Sequence, residues 1–189
     1  MKYNQLLLLA LLLLSSSLFA QTIHLRSGTF QPANNIRQEV IDSFNRSVDR
    51  VDGQAFSVIQ FKIIPSAEEQ KALLANGITL LDYIADNTYT VSIKGALSTE
   101  ALKAVNTRSL FQLSPRQKMH DYLANGILPA WAVKQPGTID VWISFPKTLS
   151  ATVVLEKLKE ANVQVISDEH KGFRVLALRI AASRLQEIA

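Results

Sequence analysis

The chain has no cysteine among its 189 residues, and it has only three histidines and seven glycines. Without a thiol it forms no disulfide and no thiolate metal site, and a lipoprotein anchor is not expected because there is nothing to acylate. The glycines are isolated from one another, so the sequence lacks a Gly-rich phosphate-binding loop. We therefore expect packing alone to stabilise the fold.

An excess of charge of one sign is also missing. Twenty Lys and Arg stand against 16 Asp and Glu, and the two signs are interspersed. No basic run is interleaved with aromatic residues, so nucleic acid is not an expected partner. A hydrophobic content of 48% indicates a globular chain rather than a disordered one.

The N-terminus has the pattern of a secretory signal peptide. Lys2 precedes the almost unbroken apolar run from Leu6 to Leu14, and the segment from Ser15 to Ala20 ends in a small residue. The run is too short and wrongly flanked for a membrane-spanning helix. We predict cleavage after Ala20, a secreted or periplasmic location, and no membrane partner once the peptide is removed.

The sequence after the signal peptide repeats one order of elements. In the first copy an apolar run from Phe56 to Ile64 predicts a strand. Ser66 and Glu69 then fit a capping box, and Gly77 suits the left-handed end of that helix. Asp86-Asn87 predicts a two-residue turn between the next two strands, since both residues tolerate positive φ. A second helix opening at 98–100 and a last strand over 110–113 complete the order βαββαβ.

The second copy begins in the same way. Alternating apolar residues from Ile139 to Phe145 predict a strand, and a helix follows from Leu149 to Ala161. Asn162 takes the place of the glycine stop. A hairpin then pairs a strand at 163–165 with one at 173–177, and 183–189 begins another helix. The strand that should follow is missing from the sequence.

These patterns predict an α+β protein with two tandem ferredoxin-like (βαββαβ) domains, the second lacking its last strand. The expected organisation is a signal peptide (1–20), an N-terminal arm (21–54), a first domain (55–114), a linker (115–137) and a second domain (138–189). We read the arm as mostly extended, with a helical turn near 39–44. The linker should hold a short helix near 116–123, and Trp131 should anchor it by burying its ring.

The sequence predicts no catalytic, cofactor-binding or metal-binding residue. His24, His120 and His170 each stand alone and are read as solvated surface groups. A metal site at Asp168, Glu169 and His170 is disfavoured, because adjacent side chains in a turn seldom converge.

The sheet face opposite the helices is the more informative surface, since its residues must be polar or be covered by something else. Phe61, Tyr83 and Phe111 are candidates for apolar groups there. They would mark a partner surface, or else pack against the arm or the second repeat, and both readings stay open.

Three segments carry a resemblance to a known family. Ile23 to Pro32 (IHLRSGTFQP), Phe56 to Lys94 and Leu128 to Ala132 (LPAWA) are similar to the N-terminal pro-region of secreted subtilisin-like serine proteases of the Bacteroidetes kind. The resemblance implies a ferredoxin-like propeptide that assists folding of a protease domain and then inhibits it. Its implied partner is a subtilisin-like domain in cis, downstream of Ala189. None of that family's catalytic motifs occurs in this chain, so no catalytic residue is carried over.

Two other hypotheses stay open. One is a stand-alone exported binding protein, such as a free protease inhibitor or an envelope-associated adaptor. The other is an exported enzyme whose site shows no clustering in the sequence.

Overall fold

The fold is a mixed α+β arrangement of antiparallel sheets and interleaved helices. The computed structural model describes residues 22–25 and 27–189, and the predicted signal peptide lies outside them. No helix in those ranges is long and apolar enough to cross a bilayer.

Nine strands and seven α-helices follow one another in the described residues. The strands are β1 (Ile23–Leu25), β2 (Gly28–Phe30), β3 (Gln54–Phe61), β4 (Ile78–Tyr83), β5 (Thr88–Lys94), β6 (Thr107–Phe111), β7 (Thr138–Ser144), β8 (Gln164–Ser167) and β9 (Val175–Ala181). The helices are α1 (Gln38–Ser47), α2 (Ala67–Ala75), α3 (Thr99–Ala104), α4 (Pro115–Lys118), α5 (Asp121–Ala124), α6 (Ala151–Glu160) and α7 (Leu185–Ile188).

The first sheet has four strands in the order β4-β5-β3-β6, all neighbours antiparallel. The predicted capping box is confirmed, with the Ser66 hydroxyl accepting from the Glu69 amide and the Glu69 carboxylate accepting from the Ser66 amide. The Asp86-Asn87 turn is confirmed as well, because both residues have positive φ. Helices α1, α2 and α3 share one apolar core with this sheet, so they lie on the same face of it.

The second sheet has three strands in the order β7-β9-β8. Odd-numbered residues of β7 and even-numbered residues of β9 pack with α6 in a second core. Asn162, with φ of 54°, ends α6 in the left-handed conformation that Gly77, with φ of 77°, adopts after α2. Helix α7 follows β9 and adds Leu185 and Ile188 to this core.

The N-terminal arm is more regular than expected. Strands β1 and β2 form a hairpin in which Ile23 pairs with Phe30, and α1 is about three turns long. Ile41 of α1 is fully buried, and Phe44 and Val48 pack against the same core. The spacing of three and four between these residues is the signal for this helix.

Several strand and linker predictions need correction. Strand β3 ends at Phe61, and Ile63 and Ile64 beyond it are exposed. Phe173 lies in a 3-10 turn before β9 and is 81% exposed. The expected linker helix is two short helices, broken where Met119 is extended.

Trp131 was predicted to be buried, and that is wrong, because its side chain is 74% exposed. The 3-10 turn at Ala130–Ala132 directs the small Ala132 into the second core instead, together with Leu123.

Candidate binding surface

Within residues 22–25 and 27–189, no helix or strand forms a layer over one face of the second sheet. Alternation along its strands turns one set of side chains away from α6. We call this surface the bare face and define it by Asp140, Trp142 and Ser144 of β7 and Val175, Ala177 and Arg179 of β9. In the ladder these residues stand opposite one another as Asp140 with Arg179, Trp142 with Ala177, and Ser144 with Val175.

Trp142 is the most prominent group on the bare face. Its side chain is 73% exposed, and its ring lies 5.7 Å from that of His170. An exposed tryptophan beside a second ring offers a large apolar contact area at low entropic cost, as binding hot spots do. The alternation from Ile139 to Phe145 already implies that Trp142 points away from the core, and that signal would have identified it.

An ion pair closes one end of the bare face. The Arg179 guanidinium donates to both carboxylate oxygens of Asp140, at 2.6 and 2.7 Å. The hydrogen bond from Arg179 lowers the pKa of Asp140, and the carboxylate in turn raises the pKa of Arg179. This bidentate pair holds two side chains flat across β7 and β9, so the face keeps a defined shape.

The N-terminal arm covers the corresponding face of the first sheet on the side of β6. Phe111 of β6 contacts Phe30 of the hairpin with ring centroids 5.2 Å apart. The Ser109 hydroxyl on the same strand donates to the carbonyl of Ala33, and Ile23 is 1% exposed. The arm then passes the outer edge of β6, where the Asn35 side chain donates to the Leu110 carbonyl and accepts from the Leu110 amide.

The three aromatic candidates for an open face therefore have different positions. Phe111 does lie on the side opposite the helices, but Phe30 covers it. Phe61 is fully buried in the core that contains the helices, so its prediction is wrong. Tyr83 is 52% exposed and contacts Tyr89 edge to face. It stands opposite Tyr89, which packs against the helix-side core, so its prediction is wrong as well.

A cleft of about 940 Å³ runs beside β7. One wall consists of consecutive β7 residues from Val141 onward, together with Leu185 and Ile188 of α7. Phe56 and Val58 of the first sheet form part of the opposite wall. Two hydrogen bonds join the first sheet to the segment after β7, from Gln54 to the Thr148 carbonyl and from Lys147 to the Leu81 carbonyl.

The histidines and the acidic turn take separate positions. His24 Nδ1 lies 3.2 Å from Asp86 at the surface, His120 caps α5, and His170 contacts Trp142. Asp168 is paired with Lys171 at 2.6 Å. Within residues 22–25 and 27–189, no three His, Asp or Glu side chains are placed to share a metal ion.

Comparison with known proteins gives one family match. Residues 24–114 are similar to a family described as a domain of unknown function (DUF8729). That segment includes both the arm and the first sheet, which also contact each other in the structure. No match was found among curated proteins, and none was found among solved structures.

Proposed function

We propose that this chain is the pro-region of an exported subtilisin-like serine protease, acting as a folding assistant and inhibitor of the protease domain. In this proposal both sheets belong to ferredoxin-like plaits, the first complete in the order β4-β5-β3-β6 and the second lacking one strand. The chain supplies binding surface, and the chemistry belongs to the protease domain in the same precursor.

The observation that carries the proposal is the bare face of the second sheet. On this face Trp142 is 73% exposed and its ring lies beside that of His170, and exposed aromatic anchors of this kind support the docking of a partner. The hairpin of β1 and β2 covers the corresponding face of the first sheet around Phe111 and Ser109, so the second sheet offers the more open face. The protease domain is therefore expected to dock on the second sheet.

The first test is to read the coding sequence beyond the Ala189 codon. An open frame containing a subtilisin-like Asp, His and Ser triad is expected. A stop codon there would overturn the precursor and favour the alternative, a stand-alone exported inhibitor or binding protein that uses the same bare face.

The second test measures inhibition and refolding of that protease domain with the chain added separately. Trp142→Ser should weaken inhibition about 30-fold, as expected for the loss of a central hot spot of about 2 kcal/mol. Trp131→Ser is the matched control, since Trp131 is equally exposed but lies off the sheet. Equal effects of the two substitutions would contradict docking on the bare face.

A further inference from the structure

The outer edge of β7 carries backbone groups that point away from β9, the one strand that pairs with β7 in the described part of the chain. The Phe145 amide donates to the Arg174 carbonyl, and the Ala182 amide donates to the Gly137 carbonyl. These two bonds place the odd-numbered residues of β7 in the hydrogen-bonded pairs with β9. Because the pattern alternates in an antiparallel ladder, the N–H and C=O groups of Asp140, Trp142 and Ser144 point to the other side. The hydrogen bonds of the described residues include no partner for these groups.

This edge faces the cleft rather than open solvent. The cleft follows β7 from Val141 to Phe145 and has apolar side chains on its floor, among them Ile143, Leu185 and Ile188. An added strand would satisfy both features of this edge. Its backbone would form hydrogen bonds with the unpaired groups of β7, and its side chains would be buried on the apolar floor of the cleft.

The first sheet shows what occupies the equivalent position. Strand β3 corresponds to β7 in strand order, and its outer edge is paired with β6 in an antiparallel register, Val58 opposite Phe111 and Gln60 opposite Ser109. In β6, Leu110 enters the helix-side core while Ser109 and Phe111 face the other way. An occupant of the β7 edge would likewise place alternate side chains on the helix side, where Ile143, Leu185 and Ile188 lie, so apolar residues suit those positions.

We propose that the outer edge of β7 binds an extended segment of the partner protease polypeptide, antiparallel to β7, which completes a four-stranded second sheet. The identity of the partner rests on the proposed function, whereas the existence of the strand site rests on the free edge and the cleft. The segment is about five residues long, as β6 is, with alternate apolar side chains packed on Ile143, Leu185 and Ile188.

The experiment uses as its probe the strand that occupies the equivalent edge in the first sheet. A synthetic peptide with the sequence of residues 107–113 (TRSLFQL) is titrated into the chain carrying Trp131→Phe. Trp142 is then the sole tryptophan of the two in the sequence, and it reports on β7. Saturable change in its fluorescence is expected. A peptide N-methylated at alternate amides should bind at least about tenfold more weakly, since each lost hydrogen bond removes about 1 kcal/mol.

A pair of protein variants distinguishes binding at the β7 edge from binding on the bare face. Ser144→Pro removes an outward N–H and leaves the ladder with β9 intact, as proline does on edge strands, and it should weaken the peptide about tenfold. Ser144→Ala keeps the N–H and should bind like the parent. Equal binding by both variants, or no binding of the peptide, overturns the proposal. If Ser144→Pro does not fold, the N-methylated peptide decides the question with the unmodified edge.

A second copy of the chain is the competing occupant. Sedimentation of the chain without peptide should give a monomer. A dimer that Ser144→Pro dissociates would show pairing of two β7 edges and would overturn the proposal. Peptide binding with no protease inhibition would contradict the proposed function and leave the strand site in place, so the two failures are distinguishable.

Discussion

The two sheets agree in the order of three strands and differ in what surrounds them. Strands β4, β5 and β3 correspond to β8, β9 and β7. In the first sheet the face opposite the helices is mostly polar and yet buried, with Gln60 and Ser109 at 0% exposure. In the second sheet the equivalent face carries an exposed tryptophan. Covering by another segment, and not side-chain polarity, decides which face is buried here.

The cover of the first sheet also explains how its polar residues are accommodated. The Ser92 hydroxyl donates to Gln54 at 2.7 Å, and the Arg108 guanidinium donates to Gln60 and to the Pro32 carbonyl of the arm. Buried polar groups are tolerated when each has a partner. The arm is thus a structural part of the first unit, which agrees with a family match that starts at residue 24.

The largest expected difference between the two faces comes from truncating one apolar residue on each. Ile23→Ala should reduce the free energy of unfolding by about 3 kcal/mol, because a fully buried side chain leaves a cavity beneath the hairpin. Trp142→Ala on the bare face should change it by less than about 0.5 kcal/mol, as exposed positions do. Urea denaturation followed by circular dichroism measures both. A large loss for Trp142→Ala would mean that the bare face is covered in solution.

The two helix ends give the next largest difference. A Cβ at Gly77 would clash with the carbonyl oxygen of Lys94, so Gly77→Asn should cost about 2 kcal/mol through overpacking. Asn162→Gly, the reverse exchange at the equivalent position, should stabilise slightly, by about 0.5 kcal/mol, because glycine adopts positive φ without strain. Thermal unfolding of both variants measures the difference. Similar behaviour of the two would contradict the close approach at Gly77.

Amide exchange should separate the two sheets under native conditions. In the described residues β3 lies between two partner strands, whereas β7 has one, so amides of β3 should exchange more slowly than those of β7. Within β7 the amides of Trp142 and Ser144 should exchange faster than those of Val141 and Ile143. Uniform protection across both sheets would contradict the lower stability expected of the second.

The smallest expected effect concerns the ion pair on the bare face. The folded pKa of Asp140 is lowered by its bond from Arg179, so the pair stabilises the fold above the unfolded pKa. That contribution is lost as pH falls through the lowered folded value. Asp140→Asn should therefore lower the melting temperature at neutral pH. In strong acid the melting temperature of the variant should approach that of the parent. Asp168→Asn, which breaks a more exposed pair, should change less at neutral pH. A pH-independent difference for Asp140→Asn would rule out this linkage.

Much of the local structure was predictable because short-range chemistry specifies it. The Ser66 capping box, the Asp86-Asn87 turn and the positive φ of Asn162 depend on residues close together in sequence. The alternation in β7 predicted both its core face and, in principle, the outward position of Trp142. Trp131 shows the limit, since its exposure depends on a 3-10 turn that buries Ala132 in its place.

The sequence by itself determined most of the order of strands and helices in the two sheets and the turns that separate them. Those features follow from periodicity and from residues that cap helices or adopt positive φ. Only the tertiary structure decided that the arm covers the first sheet and that β7 faces a cleft, because both depend on contacts across 60 residues or more, such as Asn35 with Leu110 and Lys147 with Leu81. Local pattern does not encode which distant surface a segment packs on.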